Sequence, residues 1–495
     1  MLKSTLLDII RTFSKEELNK FEDFIRSPYF NKKDHIADLF SEIKKFFPDF
    51  NNEDLKRELV WNKLFPGKEF NYGIMKNVIH ELSKLCEKFI TLEYYFKNEL
   101  RMFQDLTDEL DNRNLTKILS TKLLSIEKNF SIEKAINSGN SIQDYYYVLS
   151  KVHWLKLYYD YQDNLNYGFE RERSIPSEFV IYSFMIYLFK VYDNLRVFKY
   201  NEVNNAGPDI VDLLFELFDN GGMKKILDYA KTRSEDNFKI LNCYYAMYKA
   251  VSDVDNADNY SNFKLSLLEI TDLITENDFR YLCINLINSA TNQSTYFFNR
   301  EKELQDVFNI MISNNIFTES NGTLKENLFI NYIISRCGIH DPSDLEDFIL
   351  TFKDKLPEDK RESSYNFGMA HFHFINSEYF KSLESLSKIS NVYFDMKYYV
   401  KNLQMMNYYE LDDYESFVYA FDSYKHFTSK NKKIPEAWKT RISAFYNTTK
   451  VLFQLKSNFD EYVFFKLKKE ITESFPSRKL WLLRKLDDLF AMSNA

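Results

Sequence analysis

Only 10 glycines and 9 prolines punctuate 495 residues, against 46 Phe and 35 Tyr. Sheets need turn-formers at their hairpins and phosphate-cradling loops need glycine runs, so this scarcity leaves helix as the regular element for nearly the whole chain. Phe, Tyr, Asn, Lys and Ile also use AT-rich codons, so composition alone does not carry the point; placement does. Proline is tolerated in the first turn of a helix and breaks its interior. Pro176, Pro208, Pro342, Pro357, Pro435 and Pro476 each precede or open a long periodic segment, while Pro28, Pro48 and Pro66 fall in short breaks. The expected fold class is all-α.

Ser14 and Glu17 have the spacing of a capping box, which starts a helix running to about Arg26. Further helices are expected at 33–47, 53–65 and 71–98, so residues 1–98 form a four-helix module. Beyond it the helices come in pairs: 99–111 with 115–130, 141–164 with 177–201, 209–219 with 222–232, 235–252 with 258–274, and 277–297 with 299–314. No low-complexity linker divides them, and 495 residues exceed what one hydrophobic core serves. Residues 99–495 are therefore expected to stack as an irregular α/α superhelix.

The internal evidence is clearest over 325–430, where apolar residues recur at helical offsets. Leu345, Phe348, Ile349 and Phe352 form one set, and Tyr414, Phe417, Val418 and Phe421 another. Tyr379, Leu383 and Leu386 lie between them with Ser382, and the first residues are 34 and 35 apart. Leu304, Val307, Phe308 and Met311 precede by 41, the excess lying around Ser320-Asn321-Gly322. Phe367-Gly368 with Ala370, followed by Tyr379 to Leu386, resembles the Leu-Gly and Tyr-x-x-small pattern of tetratricopeptide repeats. That resemblance implies stacked helix pairs that bind a peptide or protein on a concave face. The family wants a small residue where this chain has Phe348 and Phe417; only Ser382 conforms. Ser27-Pro28-Tyr29-Phe30-Asn31-Lys32 and Tyr409 to Tyr414 also resemble a group of large uncharacterised bacterial all-helical proteins, which implies the two-part layout and no activity.

Motifs that carry chemistry are missing from the sequence. His371 and His373 lie two apart, about 200° around a helix, and cannot share a metal. Cys337 and His340 have no second ligand pair nearby, and the loop from Asp253 lacks the glycine and distal acid of a calcium site. No P-loop, dinucleotide fingerprint, nucleophile elbow or zincin motif occurs. No cofactor and no catalysis are expected. The four cysteines are widely spaced, the N-terminus has no signal-peptide pattern, and the longest apolar run, Phe179 to Phe189, reads as a buried core helix. A cytoplasmic location follows, with no membrane span.

Binding is what remains. Tyr145, Tyr146, Tyr147, Trp154, Tyr158, Tyr159 and Tyr161 put rings around several sides of one helix, a pattern that sandwiched packing explains. The formal charge is −8, yet residues 421–495 carry 15 basic and 8 acidic groups. Within that end, Lys430, Lys432, Lys433, Lys466, Lys468, Lys469, Arg478, Lys479, Arg484 and Lys485 are candidates to meet an acidic partner or phosphates. The expected function is a non-catalytic scaffold, with Tyr365, His371, Tyr398, Asn402 and Tyr409 lining the concave face. The alternative is a bacterial transcriptional regulator whose helices at 53–65 and 71–90 form a helix-turn-helix, with Lys68, Lys76 and Lys84 near DNA phosphates. Residues 1–100 hold 17 basic and 17 acidic groups, so no basic stripe marks that module.

Overall fold

The computed structural model describes residues 5–50, 55–125, 131–137, 140–162, 170–201, 210–254, 256–293, 298–319, 321–339, 343–390, 394–431, 434, 436–473 and 476–493. Among these, every regular element is a helix. Pro208, Asp255, His340, Pro342, Lys432, Lys433 and Pro435 lie outside the described residues. The chain divides into two units, one of residues 1–134 with 151–173 and one of 135–150 with 174–495.

The first unit opens with α1 (Thr5–Ile10), α2 (Lys15–Arg26), α3 (Asp34–Lys44), α4 (Arg57–Leu64) and α5 (Tyr72–Lys97), then α6 (Glu99–Asn112) and α7 (Thr116–Leu124). The capping box forms as the spacing predicts: the Glu17 amide donates to Ser14 Oγ at 3.1 Å, and the Ser14 amide to Glu17 Oε2 at 2.8 Å. The short α1 is one helix more than the sequence pattern indicates. Its Leu6, Leu7 and Ile10 are buried in the same core as Phe21, Phe40 and Phe89. Phe21 is the hub, with rings of Phe13, Phe40 and Phe89 at 5.6, 4.8 and 5.2 Å.

Next come α8 (Ile132–Asn137), α9 (Ile142–Gln162), α10 (Glu170–Asn201), α11 (Ile210–Leu217), α12 (Met223–Arg233), α13 (Glu235–Ser252), α14 (Ala257–Leu268), α15 (Glu276–Asn292) and α16 (Arg300–Ser313). Two expectations need correction in α10. Pro176 lies inside this helix and not at its start; hydrogen bonds from Ser177 Oγ to the Ser174 carbonyl and from Ser174 Oγ to Glu178 bridge the turn that the proline interrupts. The apolar run is also buried on one side only. Tyr182, Met185, Ile186 and Phe189 are buried, whereas Val180, Ile181, Phe184 and Tyr187 are exposed. Residues Ser174–Leu195 are long and apolar enough to cross a membrane by length and composition, a weak indication for a helix with one face packed in a core.

The chain ends with α17 (Glu326–Ile339), α18 (Leu345–Phe352), α19 (Glu358–Ile375), α20 (Tyr379–Ser387), α21 (Phe394–Glu410), α22 (Tyr414–Lys430), α23 (Glu436–Ser457), α24 (Glu461–Glu473) and α25 (Lys479–Ser493). The residues whose spacing is 34 and 35, Leu345, Tyr379 and Tyr414, are the first residues of α18, α20 and α22. Each start follows a left-handed residue: Asp344 at φ 59, Ser377 at φ 61 and Asp412 at φ 59. Gly368 lies at a close approach between helices, where a Cβ would meet Ile349 side-chain atoms at 3.0 Å and Ile333 at 3.2 Å. Ser382 plays a related part, donating to the Ala370 carbonyl at 2.8 Å and accepting from Asn407 Nδ2 at 2.9 Å. The bulky departures are absorbed by aromatic partners: Phe348 stacks on Tyr332 at 3.7 Å and Phe417 meets Phe453 at 4.6 Å.

Candidate functional site

The second unit contains a cavity of about 210 Å³. Its lining follows helical periodicity. Trp438, Arg441 and Ile442 stand on one face of α23, His371 and Phe374 on one face of α19, and Trp481 with Arg484 on one face of α25. Tyr398 and Tyr399 come from α21, Cys337 from α17, and Arg300 with Glu301 from the start of α16. The turn Pro476-Ser477-Arg478 closes the wall and leads into α25. It is fixed from both sides, since the Ser477 amide donates to the Arg441 carbonyl at 3.3 Å and Ser477 Oγ is hydrogen bonded to the Tyr398 hydroxyl. Arg478 adopts the left-handed backbone at φ 58, costly for a residue with a Cβ.

Five cationic side chains, Arg300, Arg441, Arg478, Lys479 and Arg484, line this cavity beside one carboxylate, Glu301. Arg300 approaches Glu301 at 3.6 Å. Lys479 donates to the Thr472 carbonyl at 2.7 Å; burial, then the Arg300 guanidinium, hold it below the usual lysine range. Arg478 lies with its guanidinium carbon 5.8 Å from the Tyr399 ring and an Nη2 3.3 Å from His371 Nε2. Among the described residues no carboxylate pairs with Arg441, Arg478 or Arg484. The positive charge there is largely uncompensated.

His371 explains how Arg478 is held. Its Nδ1 lies 3.1 Å from the Phe367 carbonyl, which can only accept, so Nδ1 carries the proton and Nε2 is left to accept from Arg478. Burial, and then the Arg478 charge, push the imidazole down to about 3, so it stays neutral. Neither ring nitrogen is free to move a proton. Cys337 is equally unreactive, its thiol pushed up to about 12 by burial.

Of the five residues expected on a concave face, His371 and Tyr398 do meet at this cavity. The expectation of an open surface is corrected for four of them. His371 is 1% exposed, Tyr398 9%, Asn402 0% and Tyr409 3%. Asn402 accepts from the Tyr424 hydroxyl at 2.9 Å, and Tyr409 packs against Phe453 and Trp481. Apolar cover from α22, α23 and α25 is what buries the α21 residues; offsets within one helix do not reveal how many neighbours surround it. Tyr365 is half-buried under Lys353. His373 is turned away from His371 to Glu378, at 2.6 Å.

Of the ten basic residues singled out near the C-terminus, Arg478, Lys479 and Arg484 reach the cavity. Lys468, Lys469 and Lys485 are in ion pairs with Asp487, Glu473 and Glu410, while Lys430 and Lys466 are exposed. Sequence reasoning missed Arg300, Arg441, Trp438 and Trp481. Arg441 falls within the basic end already noted, but nothing links Arg300 to it along the chain. In the first unit, Lys68, Lys76 and Lys84 are exposed, and Lys68 lies over the Phe65 ring at 5.7 Å. The aromatic set on α9 splits: Tyr145 and Tyr146 are buried, whereas Tyr147, Trp154 and Tyr158 are exposed. Tyr159 donates to Asp111, and the Tyr161 side chain lies outside the described residues.

No known protein family, curated protein or solved structure matches this chain.

Proposed function

We propose that this chain is a non-catalytic binding protein of the cytoplasm, its later helices paired in an irregular superhelix of tetratricopeptide type. Its second unit would take an acidic segment of a protein or peptide partner into the basic cavity. The observation that carries this reading is the convergence of Arg300, Arg441, Arg478, Lys479 and Arg484 on one cavity with a single carboxylate. Partly buried, unpaired guanidiniums are costly to keep unless a ligand uses them, because desolvation penalises the charge and no partner returns the energy. Aromatic and Arg side chains together are also the residues that dominate partner recognition energetically. The commitment of both His371 nitrogens and the unreactive Cys337 thiol support binding over catalysis.

Fluorescence polarisation with labelled peptide pools of acidic, neutral and basic composition tests this. Acidic pools should bind more tightly than neutral ones, with affinity falling as salt rises. A variant carrying Arg441→Gln and Arg484→Gln should lose that preference while melting at the same temperature. Equal binding of acidic and neutral pools would overturn the reading.

A further inference from the structure

We infer that the cavity recognises a phosphate monoester carried on an aromatic stem, presented by a phosphorylated side chain of the partner segment. This deepens the acidic-partner reading and rests on it. Charge favours a phosphate. After Arg300 is set against Glu301, three guanidiniums remain: Arg441, Arg478 and Arg484. A single carboxylate would leave two of them unmatched in a half-buried wall, whereas a phosphate monoester brings a charge near −2 and three strong acceptor oxygens. The planar fork of each guanidinium matches phosphate oxygens in pairs of hydrogen bonds.

The way Arg478 is held points in the same direction. A carboxylate beside it would fix the side chain but cancel its charge. His371 instead presents a neutral Nε2 at 3.3 Å, with its other nitrogen tied to the Phe367 carbonyl. The guanidinium is oriented and keeps its full charge for a ligand. His371 is thus a positioning residue. The left-handed backbone at Arg478 belongs to the same arrangement, since strain of this kind persists where surrounding structure holds it for a purpose. The amides opening α25, the helix that Arg478 leads into, add a favourable dipole for an anion.

Size and wall chemistry select the stem. Roughly 150 Å³ accommodates a benzene ring in a protein interior, and the cavity of about 210 Å³ leaves space beyond one ring for a phosphoryl group. Tyr398, Tyr399, Trp438 and Trp481 supply ring surface along the same wall. An aromatic stem packs against such rings better than a short hydroxyalkyl stem, which has little apolar area to bury.

Isothermal titration of the full chain with phenyl phosphate, benzoate and inorganic phosphate tests the ligand class. Titration with one acidic peptide, phosphorylated and not, tests the source. Phenyl phosphate is expected to bind at least about tenfold tighter than either small control, and the phosphorylated peptide at least about tenfold tighter than its unmodified form. Arg441→Gln and Arg484→Gln should each reduce phenyl phosphate affinity about tenfold, and Arg441→Lys should fall between, keeping charge without the fork. Benzoate binding as tightly as phenyl phosphate, or phenyl phosphate binding unaffected by both Gln variants in folded protein, would overturn the proposal. Inorganic phosphate binding as tightly as phenyl phosphate would overturn the aromatic stem. Acidic peptides that bind with no gain on phosphorylation would sink this inference and leave the acidic-partner reading standing; binding of no acidic ligand would remove both.

Discussion

The core of α1 to α5 and the core of α19 to α23 are built from different materials. Between residues 5 and 98 every buried side chain among those described is apolar, with Phe21, Phe40, Trp61 and Phe89 at the centre. Between residues 364 and 449, Ser364, Asn366, His371, Ser382, Asn402, Asn407, Thr428 and Thr449 are buried alongside the apolar residues. An apolar core is held by area and shape, and tolerates repacking. A polar one holds its members at particular distances and angles, and each broken link leaves a costly orphan. The polar core adjoins the cavity: His371 belongs to both, and Tyr398, one of the apolar residues packed around it, lines the cavity as well. Specific positioning is concentrated where a ligand would need it.

The largest expected effect breaks the comparison at its simplest point. Phe21→Ala removes the hub ring from a fully buried site and should cost about 3–5 kcal/mol in urea unfolding. Ser382→Ala deletes far less volume but removes a donor to the Ala370 carbonyl and the acceptor for Asn407 Nδ2, so about 1–3 kcal/mol is expected. If Ser382→Ala were neutral, the polar core would be packing only, and the contrast between the two regions would fail.

Much of this fold is legible in local sequence. The capping box at Ser14, the helix starts at Leu345, Tyr379 and Tyr414, and the close approach at Gly368 all follow from periodicity and backbone sterics. Pro176 defeats the same logic, because helix continuity there depends on side-chain hydrogen bonds that a proline rule does not count. The site is only half legible. A basic end marks Arg478, Lys479 and Arg484, and helical spacing places Trp481 beside Arg484. Burial of Asn402 and Tyr409 depends on three other helices, and the convergence of Arg300 with Arg441 spans 141 residues of chain. Such meetings are set by how helices stack, which no local pattern records.

Acid separates the two cores next. His371 is neutral in the fold because burial and Arg478 hold its ionisation near 3, against 6.5 when exposed. Its folded value lies below its unfolded one, so its contribution is complete above pH 6.5 and is lost as pH falls from there toward 3. One proton taken up on unfolding corresponds to about 1.4 kcal/mol per pH unit, most cleanly between pH 6 and 5, before most carboxylates titrate. No histidine of α1 to α5 is fully buried, His35 being half-buried and His80 exposed. His371→Gln, which keeps an amide donor and acceptor without titrating, should flatten that slope by about the same amount in urea unfolding across this range. An unchanged slope would show that the imidazole is not the buried neutral acceptor described above.

The smallest expected effect is the most discriminating. Among the described residues each unit holds one large side chain in the left-handed backbone region, Phe50 at φ 49 and Arg478 at φ 58. Glycine relieves about 1–2 kcal/mol of steric cost at either position, against about 0.5–1 kcal/mol of added chain entropy. At Phe50, which is 1% exposed, that relief is small beside the loss of a buried ring, and the substitution belongs with Phe21→Ala. At Arg478 the side chain is half-buried and contributes to the fold chiefly through one hydrogen bond to His371. Arg478→Gly should therefore leave stability within about 1 kcal/mol of the parent, while weakening binding of an anionic probe by calorimetry. A stability loss as large as that at Phe50 would mean that Arg478 is held for the fold. Retained stability with lost binding would mean that its strained turn and its neutral histidine partner serve the ligand.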